Sequence, residues 1–191
     1  MKQIRVTLVI TFCALLSTVH SVHATFMLGA EQAKQYLPLL HGKRVGLVVN
    51  QTSVVNDQHL VDFLLAKHVN VQVMFAPEHG VRGDKGAGEH VANDRDSQTG
   101  IFIQSVYGAQ KTPPDEVMRE LDVIVFDIQD VGTRFYTYIS TMHYMMQAAQ
   151  KHQVAFVVLD RPNPNGQFVD GPMLDPRLRS FVGMHEFPLL H

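Results

Sequence analysis

Leu121-Asp122-Val123-Ile124-Val125-Phe126-Asp127 is the clearest strand in the chain, and the two segments after it decide the fold. A turn at Val131-Gly132-Thr133 leads into a helical pattern from about Arg134 to Lys151. Within it Phe135, Tyr138, Ile139, Met142, Met145, Met146 and Ala149 recur at helical spacing, which predicts a stripe of core packing and not a cofactor box. A second apolar run, Val154-Ala155-Phe156-Val157-Val158-Leu159-Asp160, comes next and ends in Arg161-Pro162-Asn163-Pro164-Asn165-Gly166. Strand, helix and strand in that order make a parallel βαβ unit.

The same alternation extends toward the N-terminus. Lys43 to Asn50 is a β-branched run closed by Gln51-Thr52-Ser53, and His59 to Lys67 places Leu60, Phe63, Leu64 and Ala66 on one helical face. Val71 to Ala76 is a strand, Ile101 to Val106 a shorter one, and Thr112-Pro113-Pro114-Asp115-Glu116 a helix N-terminus with early prolines and acids. Leu28 to Leu37 predicts a short surface helix ending at Pro38. Between the strands at 71–76 and 101–106 lies a long loop, Pro77 to Gly100, and loops of that length without their own structure are often functional. The expected architecture over residues 25–191 is a Rossmann-like three-layer α/β domain with a mainly parallel sheet.

With 191 residues, 46% of them hydrophobic and 18% charged, the chain can bury one sizeable core. Residues 1–24 read as a signal peptide: Lys2 and Arg5, an apolar stretch from Val6 to Val19, then Val22-His23-Ala24 as a cleavage site. The apolar stretch falls short of the ~20 residues of a membrane span, so no stable membrane insertion is expected after cleavage, a retained anchor being the alternative. The single cysteine, Cys13, lies inside that stretch, which argues against a lipoprotein and leaves a mature chain without thiol or disulfide chemistry. Taking Lys2 and Arg5 from the 16 basic residues leaves 14 against 18 acidic ones, a net charge of −4 and no footprint for nucleic acid. The predicted location is periplasmic or secreted.

Parallel strands with right-handed crossovers point one way, so their C-terminal tips gather on one edge. Those tips carry Asn50, Pro77-Glu78-His79, Asp127 with Gln129 and Asp130, and Asp160 with Arg161. Asp and Asn also cap ordinary loops, so each alone is ambiguous; the set points to a site. No Gly-x-Gly-x-x-Gly follows a strand, and neither a P-loop nor a Gly-x-Ser-x-Gly elbow is present. Two carboxylate chemistries remain. Glu78 can serve as general acid at a glycosidic bond, with Glu89, Asp127 or Asp130 as the second group. Apolar Phe75 and Pro77 are expected to raise its pKa, and Arg82 to oppose that. Alternatively Glu78, His79, Asp84, Glu89 and His90 hold Zn or Mn, although no ligand spacing such as His-Glu-x-x-His occurs. Asn50-Gln51-Thr52 matches a glycosylation acceptor but reads better as a polar strand-end loop.

Three blocks resemble the exo-β-N-acetylmuramidases, a bacterial family long known only as a domain of unknown function. They are Asn50-Gln51-Thr52, Ala76-Pro77-Glu78-His79-Gly80-Val81-Arg82-Gly83, and Asp127-Ile128-Gln129-Asp130-Val131-Gly132-Thr133-Arg134-Phe135-Tyr136-Thr137-Tyr138. Leu159-Asp160-Arg161-Pro162-Asn163-Pro164, Gly171-Pro172 and Ser180-Phe181-Val182-Gly183 continue the match from about Lys43 onward. The resemblance implies a glycosidase that removes N-acetylmuramic acid from non-reducing ends of peptidoglycan fragments or muropeptides, without a cofactor or metal. Glu78 matches the family's proposed catalytic glutamate. With it, His79 and Asp127 are expected to be catalytic, and Asn50, Arg82, Gln129, Asp130, Arg134, Tyr136, Asp160, Arg161 and Asn163 to bind substrate. An arginine suits the lactyl carboxylate of muramic acid because its fork binds carboxylates through two bonds. Family members continue into a second domain across a cleft, so a chain ending at His191 is expected to be an N-terminal part, and a non-catalytic wall-binding domain is the alternative function.

Overall fold

The computed structural model describes residues 26–191; the proposed signal peptide and Cys13 lie outside the described residues. Among the described residues eight strands form: β1 (Arg44–Val49), β2 (Val54–Val55), β3 (Gln58–His59), β4 (Asn70–Ala76), β5 (Asp94–Arg95), β6 (Phe102–Ser105), β7 (Val123–Asp127) and β8 (Ala155–Val158). The helices are α1 (Ala33–Leu40), α2 (Leu60–Ala66), α3 (Asp115–Arg119) and α4 (Tyr138–His152). Six strands make one sheet in the order β5-β6-β4-β1-β7-β8, with β5 antiparallel to β6 and every other pairing parallel.

Both faces of the sheet are apolar, because alternate residues of each central strand serve opposite sides. Leu47 and Val49 of β1, Met74 and Ala76 of β4, and Val123 and Val125 of β7 pack with Tyr36, Leu40, Leu60 and Leu64 of α1 and α2. Val48, Val73, Phe75, Ile124 and Phe126 point the other way, onto Met118 of α3 and Tyr138, Met145 and Ala149 of α4. The result is the expected three-layer α/β domain with a mainly parallel sheet.

Taken in sequence order, the five parallel strands lie in the spatial order 3-2-1-4-5. The chain therefore reverses its progress across the sheet between β1 and β7, and open α/β sheets form their ligand crevice outside the C-terminal strand ends at such a point.

Four local features differ from the sequence reading. Helix α1 runs through Pro38 instead of stopping there; the lost backbone bond is offset by burial of Tyr36 and Leu40 and by the Tyr36 hydroxyl donating to the Ala30 carbonyl at 2.9 Å. Helix α4 begins at Tyr138, so Phe135 precedes it and is exposed, as is Met146, while the core side of the helix is Tyr138, Met145, Ala148 and Ala149. The Pro77–Gly100 loop is not structureless, since β5 lies within it. Finally, β2 and β3 form a small hairpin whose turn residues Asn56 and Asp57 both have positive φ, 49° and 60°. That conformation matches the twist of paired strands and suits Asn and Asp.

Candidate active site

Glu78 stands two residues beyond β4, half-buried, and its carboxylate is gripped from three directions. Oε1 accepts the Tyr107 hydroxyl at 2.9 Å and the Gly88 amide at 3.1 Å; Oε2 accepts the Thr137 hydroxyl at 3.1 Å. Tyr107 lies just past β6, Gly88 in the long loop, and Thr137 immediately before α4. The Glu78 carbonyl also accepts the Tyr138 hydroxyl at 3.3 Å. Burial is the largest single influence on the carboxyl and pushes its pKa up, but the donors Tyr107, Gly88 and Thr137 and the charge of His79 together outweigh it. The net shift is downward, opposite to the rise expected from Phe75 and Pro77, and its main causes are these hydrogen bonds, with Arg82 engaged elsewhere by Asp96 and Asp62.

His79 and Gly80 turn the chain sharply with φ of 69° and 78°. A side chain at Gly80 would meet the Asp84 carboxylate as well as straining the backbone. The His79 ring hydrogen-bonds through Nδ1 to the Lys85 carbonyl at 3.0 Å; an acceptor there requires the proton on Nδ1. Tyr136 lies edge-on to Tyr138 with ring centroids 4.8 Å apart. Its hydroxyl pKa is raised by burial first, then by the negative charges of Asp130 and Glu78. Glu78, His79, Tyr107, Tyr136, Thr137 and Tyr138 thus form one polar cluster at the C-terminal edge of the parallel sheet.

Several residues expected to touch substrate are engaged by the protein itself. Asp127 is fully buried and forms a two-pronged pair with Arg161, Nε to Oδ1 at 2.6 Å and Nη2 to Oδ2 at 3.0 Å. Arg161 also donates to the Val54 carbonyl at 3.2 Å, so this pair ties β7 to the segment after β8 and to the β2–β3 hairpin. With no surface exposed, Asp127 cannot meet a substrate in this conformation. Arg82 is clamped between Asp96, at 2.8 and 2.9 Å, and Asp62, at 3.1 and 3.2 Å. Its fork is therefore occupied and is not offered to a lactyl carboxylate.

The rest of the predicted set shapes loops. Asn50 is buried, and its Oδ1 accepts the Thr52 amide and hydroxyl at 2.9 and 2.6 Å, which makes Asn50-Gln51-Thr52 a strand-end turn. The Gln129 side chain donates to the carbonyls of Asp130 and Pro162 at 2.7 and 2.8 Å. Arg134 donates to the carbonyls of Pro172 and Phe187 at 2.9 and 2.6 Å, pinning the C-terminal segment. Asn163 donates to the His191 carbonyl at 2.6 Å, in a contact so close to Gly132 that a side chain there would overlap it. Asp160 is exposed and lines a separate cleft of about 310 Å³ against α1, with Gly29 and Tyr36. Asp130 keeps a buried Oδ1 without a partner among the described residues.

Sequence reasoning missed Tyr107, Thr137 and His59. Tyr107 follows a parallel strand, so the strand-tip rule that found Glu78 would have found it. His59 accepts the Val61 amide on Nδ1 at 3.3 Å, and its Nε2 lies 3.0 Å from the Asn50 carbonyl and 3.1 Å from that of Val81. It joins the end of β1 to the loop that carries Glu78. Among the described residues, no three of His, Cys, Asp and Glu converge as a metal-binding group. Of the five residues weighed as ligands, Asp84 pairs with Lys85 at 3.2 Å and Glu89 accepts the Gly86 amide at 2.6 Å.

The clamp on Arg82 gives a prediction about acid stability. Arg82 beside it, with Thr99, holds the Asp96 carboxyl down at about 2. A depressed folded pKa contributes stability that is complete above the unfolded value near ~4 and is lost as pH falls through about 2. The Arg82→Gln variant is expected to be less stable by about 2–3 kcal/mol at neutral pH, with the difference from wild type shrinking between those two pH values. Urea unfolding at pH 7 and through that acid window measures both.

A family model described as exo-beta-N-acetylmuramidase NamZ, N-terminal, matches residues 45–191. The chain belongs to this family. The peptidoglycan beta-N-acetylmuramidase NamZ of Bacillus subtilis (strain 168) is 46% identical over 159 residues, which are 82% of this chain and 38% of that relative. Two crystal structures of DUF1343 family proteins from Bacteroides fragilis NCTC 9343 are similar in fold, each with a TM-score of 0.76 and 42% identity. They match 86% and 85% of this chain, which in turn covers 43% and 42% of them. The chain spans less than half the length of the NamZ relatives it matches.

Proposed function

We propose that this chain carries the catalytic carboxylate of an exo-acting β-N-acetylmuramidase, one that releases N-acetylmuramic acid from the non-reducing ends of peptidoglycan fragments. The observation that carries the reading is the Glu78 carboxylate, held by Tyr107, Gly88 and Thr137 at the C-terminal edge of the parallel sheet in a domain related to NamZ. Work on wall fragments fits export to the periplasm or beyond, as Lys2, Arg5 and the apolar stretch after them suggest.

Glycosidases pass through a transition state with positive charge at the anomeric carbon, and two carboxyl groups share the work. Glu78, favoured in its ionised form by three donors, is suited to the partner that stabilises or attacks that centre, or activates water. It can act as proton donor only after taking up a proton against that preference. For the second group, Asp127 is sealed against Arg161 and Glu89 is turned to the Gly86 amide. Asp130, with its buried unclaimed oxygen and its charge felt by Tyr136, is the remaining candidate of the three.

Incubation with a chromogenic β-N-acetylmuramide, using this chain alone and together with the region by which its relatives are longer, tests the proposal. Release of N-acetylmuramic acid is expected when both regions are present. Muropeptide binding without hydrolysis in both preparations would instead identify a wall-binding domain.

A further inference from the structure

We propose that Tyr107, braced by Phe181, is a positioning residue for Glu78 and sets the direction in which its carboxylate faces the crevice; this rests on Glu78 being the reacting carboxylate. The Tyr107 hydroxyl reaches Glu78 Oε1 at 2.9 Å, but the backbone of Tyr107 has only long hydrogen bonds among the described residues, its amide donating to Ser105 Oγ and its carbonyl accepting the Ser105 hydroxyl, both at 3.4 Å. What fixes the ring is packing. Phe181 lies against it, with centroids 6.1 Å apart and planes inclined at 56°, and stacks on Tyr144 at 6.3 Å and 18°.

Phe181 is itself firmly placed. Ser180 and Gly183 exchange backbone hydrogen bonds at 2.9 and 3.2 Å, closing the turn that carries it, and the Ser140 hydroxyl donates to its carbonyl at 2.7 Å. Lys111 Nζ lies 5.4 Å from its ring centroid, within the range of cation–π attraction. Ser140 belongs to the first turn of α4, and Thr137, which holds the other Glu78 oxygen, is the residue just before that helix. One helix end thus grips Oε2 directly and Oε1 through Phe181 and Tyr107. The 180–183 turn, far from β4 in sequence, becomes part of the support of the site, and preorganised carboxylates depend on such supports.

The test is a titration of the glutamate side-chain carboxyl carbons by NMR on this chain, with the Glu78 signal assigned through Glu78→Gln. The other ionisable groups facing Glu78, namely His79, Tyr136 and Tyr138, are left in place. Tyr107→Phe keeps the ring and its packing and removes one donor to the charged form, so the Glu78 midpoint is expected to move up while the other glutamates stay where they are. Phe181→Ala, checked for an intact amide spectrum, is expected to move it the same way by a smaller amount. Should that variant unfold, Phe181→Leu replaces it. An unchanged Glu78 midpoint in Tyr107→Phe would overturn the role of Tyr107, and an unchanged midpoint in a folded Phe181 variant would overturn the brace. Neither readout needs turnover, so failure of the muramidase reading leaves this result intact, and the reverse.

Discussion

Replacing Arg161 with alanine is expected to destabilise the domain by about 3–5 kcal/mol, the usual effect of removing one partner from a buried ion pair. Arg161 is almost wholly buried against Asp127, which has no exposed surface, and the deletion leaves that carboxylate with no counter-charge. For a domain of this size the loss amounts to roughly 6–20 °C in melting temperature. The pH dependence distinguishes this cause from lost packing. Burial raises the Asp127 pKa and Arg161 pulls it back, with the net shift upward. An acid with a raised folded pKa destabilises the fold as pH rises out of the acid range and the group ionises, and without Arg161 that penalty grows. The Arg161→Ala deficit is therefore expected to be largest near neutral pH and to shrink on acidification, whereas a packing defect would persist at all pH values. Calorimetry of both proteins from pH 4 to pH 7 decides. Replacing both partners with apolar residues of similar volume, Asp127→Leu with Arg161→Met, is expected to recover much of the loss.

That pair also shows where a sequence stops speaking. The runs at 44–49, 70–76 and 123–127 announced parallel strands because burial on both faces demands a mostly apolar composition, a property written in consecutive residues, and the run at 155–158 keeps that composition although it forms the half-exposed edge strand. Glu78 was legible for a related reason: an acid straight after such a run has to stand on the ligand-binding edge. Arg82, Asp127, Arg161 and Arg134 stand on or near the same edge and looked equally available. Their partners, Asp96 and Asp62, each other, and the carbonyls of Pro172 and Phe187, come from distant parts of the chain. A charged residue that reaches for substrate and one that ties down a loop have the same letter, and only tertiary contact separates them. The converse holds for Tyr107 and Thr137, whose side chains are ordinary in strands and helix starts and became site residues only when the fold brought them to Glu78.

If the proposed muramidase activity is reconstituted with the region by which the NamZ relatives are longer, Glu78→Gln is expected to lower kcat by about 10²–10⁴-fold, the range general acid–base catalysis contributes. Glutamine keeps the size of the side chain and its carbonyl oxygen, with two lone pairs, can still accept two hydrogen bonds, so little change in stability is expected. What it loses is the charge and the capacity to exchange a proton, and its NH₂ is itself a donor where the carboxylate had only acceptors. Because Oε1 takes two donors and Oε2 one, the amide is expected to turn its NH₂ toward Thr137, whose hydroxyl can accept. Urea unfolding alongside rates of N-acetylmuramic acid release separates the two effects. A rate within about threefold of wild type, far short of the loss general acid–base catalysis implies, would remove Glu78 from the chemistry. The pH profile of the wild-type rate then assigns its role. If Glu78 works in the ionised form that Tyr107, Gly88 and Thr137 favour, kcat/KM rises with pH through its depressed midpoint and is already level at neutral pH. If it works as the proton donor, the rate falls as pH climbs through that midpoint, and an enzyme so built would be confined to acid. The three donors around the carboxylate favour the first outcome, and with it a proton donor elsewhere in the crevice, where Asp130→Asn is the substitution to examine next.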